Sequence, residues 1–71
     1  MTEKLKALGR EIVVLRAKKG LTQTDLYQRA NLSYSTISLL ENGKKMPRVS
    51  TLYKIALVLD VDPEELTKFL D

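Results

Sequence analysis

Cysteine and histidine are both absent from this 71-residue chain. Without cysteine there are no disulfide staples, thiolate metal ligands or thiol nucleophiles. Without histidine the usual acid–base side chain near neutral pH is missing, and so are imidazole ligands. Carboxylates, tyrosines and lysines remain, but none gathers at a glycine-rich loop or at metal-ligand spacing. An enzyme is therefore not expected, and neither a metal nor a cofactor is. Long apolar runs are missing as well. The longest uncharged stretch, Ala30 to Leu40, is polar and too short to span a bilayer. Glu3, Lys4, Lys6 and Arg10 interrupt the N-terminus where a signal peptide needs an unbroken apolar segment. A soluble, cytoplasmic chain is expected.

Acidic residues are scarce until the very end. Residues 1–59 hold eleven Lys or Arg against four Asp or Glu, a balance of +7. Residues 60–71 hold Lys68 against Asp60, Asp62, Glu64, Glu65 and Asp71, a balance of −4. A basic body with an acidic tail suits a polyanionic partner; on charge alone, a well-solvated surface fits equally. With 44% apolar and 30% charged residues the composition is that of a globular chain. The length sets one domain over residues 1–71, burying about 60% of its unfolded surface and so of marginal stability.

Periodicity points to helices only. Leu5, Leu8, Ile12 and Leu15 recur at helical spacing, which predicts a first helix over 3–19, closed by Gly20. Gly9 inside it weakens the helix by about 1 kcal/mol relative to alanine. Thr22-Gln23-Thr24-Asp25 reads as a capping box for a second helix over 23–30, with Asn31 as a left-handed stop. Ser33 caps a third helix over 34–41, ended by Asn42-Gly43. After Met46-Pro47, Leu52, Ile55, Ala56 and Leu59 mark a fourth. Asp62-Pro63-Glu64-Glu65 opens a fifth, with Leu66, Phe69 and Leu70 facing inward.

Only Asn31 to Ser33 separate the second and third helices, so the two cross steeply, as in a helix-turn-helix spanning about residues 22–42. At about 100° per residue, Tyr34, Ser35, Ser38, Leu39 and Asn42 share one arc of the third helix. Thr36, Ile37 and Leu40 share the other, which should face the core. The first arc carries hydroxyls, an amide and one leucine, with no acid among them. Such a face suits base edges and phosphates. It also describes a plain solvated helix face.

At this point pattern becomes resemblance. Leu21-Thr22-Gln23-Thr24-Asp25-Leu26, Ser33-Tyr34-Ser35-Thr36-Ile37-Ser38 and Glu41-Asn42-Gly43 resemble the helix-turn-helix family of phage lambda repressor and Cro. The match runs over roughly residues 5–66, including Leu15-Arg16, Pro47, Leu52, Ile55-Ala56 and Leu59. The fold it implies is all-α, a five-helix bundle of the lambda-repressor-like DNA-binding type. The function it implies is sequence-specific binding of double-stranded DNA by a transcriptional regulator, a repressor of phage, plasmid or bacterial type.

Carried over residue by residue, the resemblance assigns base reading to Tyr34, Ser35, Ser38 and Leu39. Tyr34 departs from the glutamine or arginine common at its place, which leaves the operator sequence open. Phosphate contact or positioning falls to Arg16, Thr22, Gln23, Ser33, Asn42, Lys44, Lys45 and Arg48. Arg16 and Glu41 match a pair that in many members forms a salt bridge between the first and third helices. Val13, Val14, Leu57 and Val58 are apolar where these helices often carry charge. Partial burial explains them, and so does a homodimer patch joined by Phe69 and Leu70. Dimers on a palindromic operator are the usual route to tight binding by so small a reader. The competing reading is a protein-interaction module, such as an antitoxin-like partner of another protein, served by those valines and the acidic tail.

Overall fold

The computed structural model describes residues 2–70, which form α1 (Thr2–Lys18), α2 (Gln23–Arg29), α3 (Tyr34–Glu41), α4 (Val49–Leu59) and α5 (Glu64–Thr67), then a 3₁₀ turn over Lys68–Leu70. There is no strand among the described residues. Local chemistry sets the helix ends. α1 stops because Gly20 turns left-handed at φ +70°. Its N–H then donates to the Ala17 carbonyl at 3.0 Å, and the Leu21 N–H donates to the Arg16 carbonyl at 2.9 Å. This pair of closing bonds is the Schellman motif. It recurs after α2 at Asn31, after α3 at Gly43 and after α4 at Asp60, each with positive φ.

Side chains open the helices. Thr22 and Asp25 exchange both capping-box bonds, Asp25 N–H to Thr22 Oγ1 at 3.0 Å and Thr22 N–H to the Asp25 carboxylate at 2.9 Å. The Ser33 hydroxyl accepts the Thr36 N–H at 3.1 Å. At α5 the Asp62 carboxylate accepts the Glu64 N–H at 2.9 Å. Pro63 already has helical dihedrals, so its missing N–H removes no bond.

The core draws on all five helices. Leu8 and Ile12 of α1, Leu26 of α2, Ile37 and Leu40 of α3, Leu52, Ile55, Ala56 and Leu59 of α4, and Leu66 of α5 pack as one cluster. α1 lies against α3, α5 and the terminal turn; α2 lies against α3 and α4. The fifth helix is shorter than the pattern suggested. It yields to a 3₁₀ turn after Thr67, so Leu66 is fully buried while Phe69 and Leu70 are only half-buried against the cluster.

Gly9 also has a role that propensity misses. A Cβ there would stand 2.6 Å from the carbonyl oxygens of both Leu40 and Glu41. One turn earlier, Lys6 lies so close to Gly43 that a Cβ on Gly43 would come within 2.9 Å of the Lys6 Cα. α1 therefore crosses the end of α3 at backbone contact. Gly9→Ala is expected to destabilise the fold by about 1–3 kcal/mol through overpacking, against the roughly 1 kcal/mol gain that helix propensity alone gives. Asp60→Gly should act in the opposite sense, because a side chain at φ 57° is strained and a carboxylate at a helix C-terminus opposes the dipole. Its expected gain is up to about 1 kcal/mol, or about 4–8 °C in Tm for a domain of this size. Thermal unfolding followed by circular dichroism checks both.

Candidate nucleic-acid interface

α2 and α3 pack against each other across the short link through Asn31. The outward arc of α3 emerges as the angular reading places it: Tyr34, Ser35, Leu39 and Asn42 are exposed and Ser38 is half-exposed. Ile37 and Leu40 are buried, and Thr36 is partly covered. The Tyr34 ring stands edge-on to Tyr27 of α2, with centroids 6.1 Å apart and planes at 76°. The Asn42 amide donates to the Ser38 carbonyl at 2.7 Å, so it finishes the helix that precedes it.

The end of α3 is anchored by Glu41, whose side chain is only 4% exposed. Arg16 of α1 donates to it twice, from Nε at 2.7 Å and Nη2 at 3.1 Å. The Gln23 amide of α2 donates to the same carboxylate at 2.9 Å. A third Arg16 bond, from Nη1 at 3.2 Å, reaches the Leu21 carbonyl. Hydrogen bonding to Glu41 and the attraction of its charge hold the Arg16 guanidinium above its already high ordinary pKa, against a smaller opposing effect of burial. With three of its N–H directions engaged and 19% of its side chain exposed, Arg16 is first a tie between helices. Gln23 shares that tie, while Thr22 and Ser33 are the N-caps of α2 and α3.

Lys44, Lys45 and Arg48 are exposed, and none of them meets a carboxylate among the described residues. Between α3 and the start of α4, Ser35, Leu39, Lys45, Met46, Arg48 and Thr51 line an open groove of about 410 Å³. Two of its walls, Met46 and Thr51, carry no sequence signal, because the loop after α3 has to fold back before they face Leu39.

The six apolar patch residues differ in exposure. Val58, Phe69 and Leu70 pack against the core, Val13 is half-buried, and Val14 and Leu57 are exposed. Leu57, 82% exposed, instead continues a stripe with Val49 and Tyr53 at four-residue spacing along α4. Tyr53, Lys54, Leu57, Val61 and Pro63 line a shallow hollow of about 390 Å³ there. That spacing was visible in the sequence as a second apolar face on a helix whose first face fills the core. Metal-ligating clusters are absent among the described residues, and no helix is long and apolar enough to cross a membrane.

Comparison with known proteins agrees with this geometry. A family model described as helix-turn-helix matches residues 12–66. The chain is 41% identical over 61 residues to the HTH-type transcriptional regulator y4dJ of Sinorhizobium fredii, covering 86% of this chain and 79% of that protein. It is 41% identical over 56 residues to an HTH-type transcriptional regulator of Archaeoglobus fulgidus, covering 79% and 80%. It is 35% identical over 57 residues to the ImmF control region 10 kDa protein of Bacillus phage phi105, covering 80% and 63%. Among solved structures, the restriction-modification controller protein C.AhdI of Aeromonas hydrophila superposes with a TM-score of 0.86 at 31% identity, over 92% of this chain and 94% of that one.

The Glu41 tie and the α2 cap each give a stability prediction. Arg16→Met strands a nearly buried carboxylate and is expected to destabilise by about 2–4 kcal/mol. Gln23→Ala removes one charge-assisted bond and should be milder, about 1–2 kcal/mol. Urea unfolding of the two variants beside the parent tests that order. At α2, the Thr22 N–H and then the Thr22 hydroxyl hold the Asp25 carboxyl below its ordinary pKa. Its stabilisation is therefore complete above the ordinary carboxylate value of about 3.9 and is lost as pH falls through the lowered one. The Tm difference between the parent and Asp25→Asn should stay constant from about pH 7 to 5 and close below about pH 4.

Proposed function

The chain belongs to the helix-turn-helix family of DNA-binding transcriptional regulators, and we propose that it acts as a repressor that binds a palindromic operator as a homodimer. The observation that carries this reading is the outward arc of α3, clear of the core and flanked by cations without carboxylate partners among the described residues. Residues 1–71 act as one such domain in the prokaryotic cytoplasm, associated with the nucleoid. Tyr34, Ser35, Ser38 and Leu39 read base edges in the major groove. Lys44, Lys45 and Arg48 hold phosphates, and the N-terminus of α2, capped by Thr22, holds another through the Gln23 and Thr24 N–H groups that the capping box leaves over. Ser33 and Asn42 position α3 at its two ends. Arg16 meets the backbone only with the N–H groups that Glu41 and Leu21 leave over.

Repression follows from occupancy, because a protein seated across a promoter excludes polymerase without any further surface. The phage resemblance supports this choice over activation. Hydroxyl readers discriminate bases weakly, so one domain gains too little selectivity and two half-sites are needed. The exposed stripe of Val49, Tyr53 and Leu57 supports a dimer interface on α4 in place of the six-residue patch. An antitoxin-like role would use the same stripe for a different protein.

Selection from random 30-base-pair duplexes at two salt concentrations tests the proposal. The expected result is an enriched inverted repeat with half-sites about ten base pairs apart. Retention without enrichment, or no retention, counts against it. Lys44→Ala should weaken binding to all sequences and flatten the salt slope by about one unit. Leu57→Asp, at a site that contributes little to the core, should leave Tm unchanged, shift sedimentation to monomer and lower operator affinity. A partner protein that co-purifies and survives these changes would favour the interaction-module reading.

A further inference from the structure

The outward arc of α3 has an unusual chemical inventory for a base reader. Tyr34, Ser35 and Ser38 bring hydroxyls, each able to donate or to accept. None of the four reading residues is an arginine, asparagine or glutamine, and the one amide on the arc, Asn42, already donates to the Ser38 carbonyl at 2.7 Å, so the four readers offer no bidentate grip to single out guanine or adenine. The remaining reader is hydrocarbon. Leu39 is 37% exposed, and the groove it lines is also lined by Met46, itself 42% exposed, and by Ser35. Both side chains leave apolar surface uncovered where the partner is a polyanion. The rim of the same groove carries Lys45 and Arg48.

Of all the groups that base pairs present in the major groove, one is apolar: the C5 methyl of thymine. A cationic rim draws the phosphate backbone to the groove, and the hydrocarbon floor then meets the base edges beside it. Resting on the DNA-reading function proposed above, we infer that this protein selects its operator chiefly by thymine C5 methyl groups, which seat between Leu39 and Met46 in the groove beside α3. Hydroxyls at Tyr34, Ser35 and Ser38 accept either donor or acceptor edges, so they tolerate neighbouring base pairs without ranking them sharply. Leu39 is the specificity-determining residue, and Met46 is its flexible backing, able to close on a methyl group of either strand.

Uracil lacks only that methyl group and keeps every hydrogen-bonding group of thymine. The test is duplex selection with the intact chain from two random 30-base-pair libraries, one prepared with thymidine and one with deoxyuridine. The expected result is retention of both pools, with a thymine-containing motif enriched only in the first. For the selected duplex, replacing each contacted thymine by uracil should weaken binding about fourfold, the worth of one buried methyl group. Leu39→Ala, on the helix surface, should bind thymine and uracil versions alike. Equal enrichment of one motif in both libraries would overturn the methyl reading and leave DNA reading intact. A thymine preference that persists in Leu39→Ala would overturn the assignment to this groove. Failure to retain either library would overturn DNA binding itself, and this inference with it.

Discussion

A single carboxylate holds the end of α3 in place. Glu41 ends α3, where the helix dipole disfavours negative charge, and it lies almost out of solvent. Both penalties are offset only because two other helices supply donors to it: α1 through Arg16 and α2 through Gln23. The three helices that frame the interface thus meet at one group. Gly9 and Gly43 make the meeting possible, since α1 has to approach the last turn of α3 at backbone distance before the Arg16 guanidinium can reach the carboxylate. The pair also keeps an acid beside the proposed DNA face from repelling phosphate, because its charge is already answered inside the protein.

The other end of α3 is fixed by different means. Ser33 satisfies the Thr36 N–H, the left-handed Asn31 closes α2, and the Tyr27 ring meets Tyr34 edge-on. With both ends held and Ile37 and Leu40 in the core, the outward arc has little freedom left apart from its side-chain rotamers. The entropy of ordering that surface is therefore paid on folding rather than on binding. In a chain of this size that assignment matters, since the core is small and a loose face would add its ordering penalty to each binding event.

Local chemistry made most of the frame legible before any coordinates. Gly20, Asn31 and Gly43 announced three helix stops, the Thr22 and Asp25 pair announced a start, and the angular test on α3 sorted Ile37 and Leu40 from Tyr34, Ser35 and Leu39. What stayed hidden depends on contacts through space. Gly9 reads as a weak point until the backbone of α3 is seen against it. Asp60 reads as part of an acidic tail until its left-handed φ shows it doing the work of a glycine. Phe69 and Leu70 read as inward-facing residues of a fifth helix, but the switch to a 3₁₀ turn after Thr67 leaves them only half-buried. Met46 and Thr51 join the groove only through the path of the loop after α3.

This separation between frame and face decides how binding strength and selectivity are distributed. Lys44, Lys45 and Arg48 sit on the loop and cap beyond the Glu41 anchor, so in the proposed reading their contribution is electrostatic, salt-dependent and blind to sequence. The arc of α3, the reader in that proposal, is short and poor in strong hydrogen-bond readers. Affinity can thus exceed selectivity for one copy of the domain, which leaves it prone to random DNA. Doubling the reader multiplies selectivity, because a second half-site adds its own discrimination while the frame of each copy stays unchanged. In the proposed dimer the interface has to lie on a surface that takes no part in reading. α4 meets this condition: its inner face fills the core, its N-terminus borders the groove, and its outer stripe runs away from α3 towards Leu57 and the α5 turn.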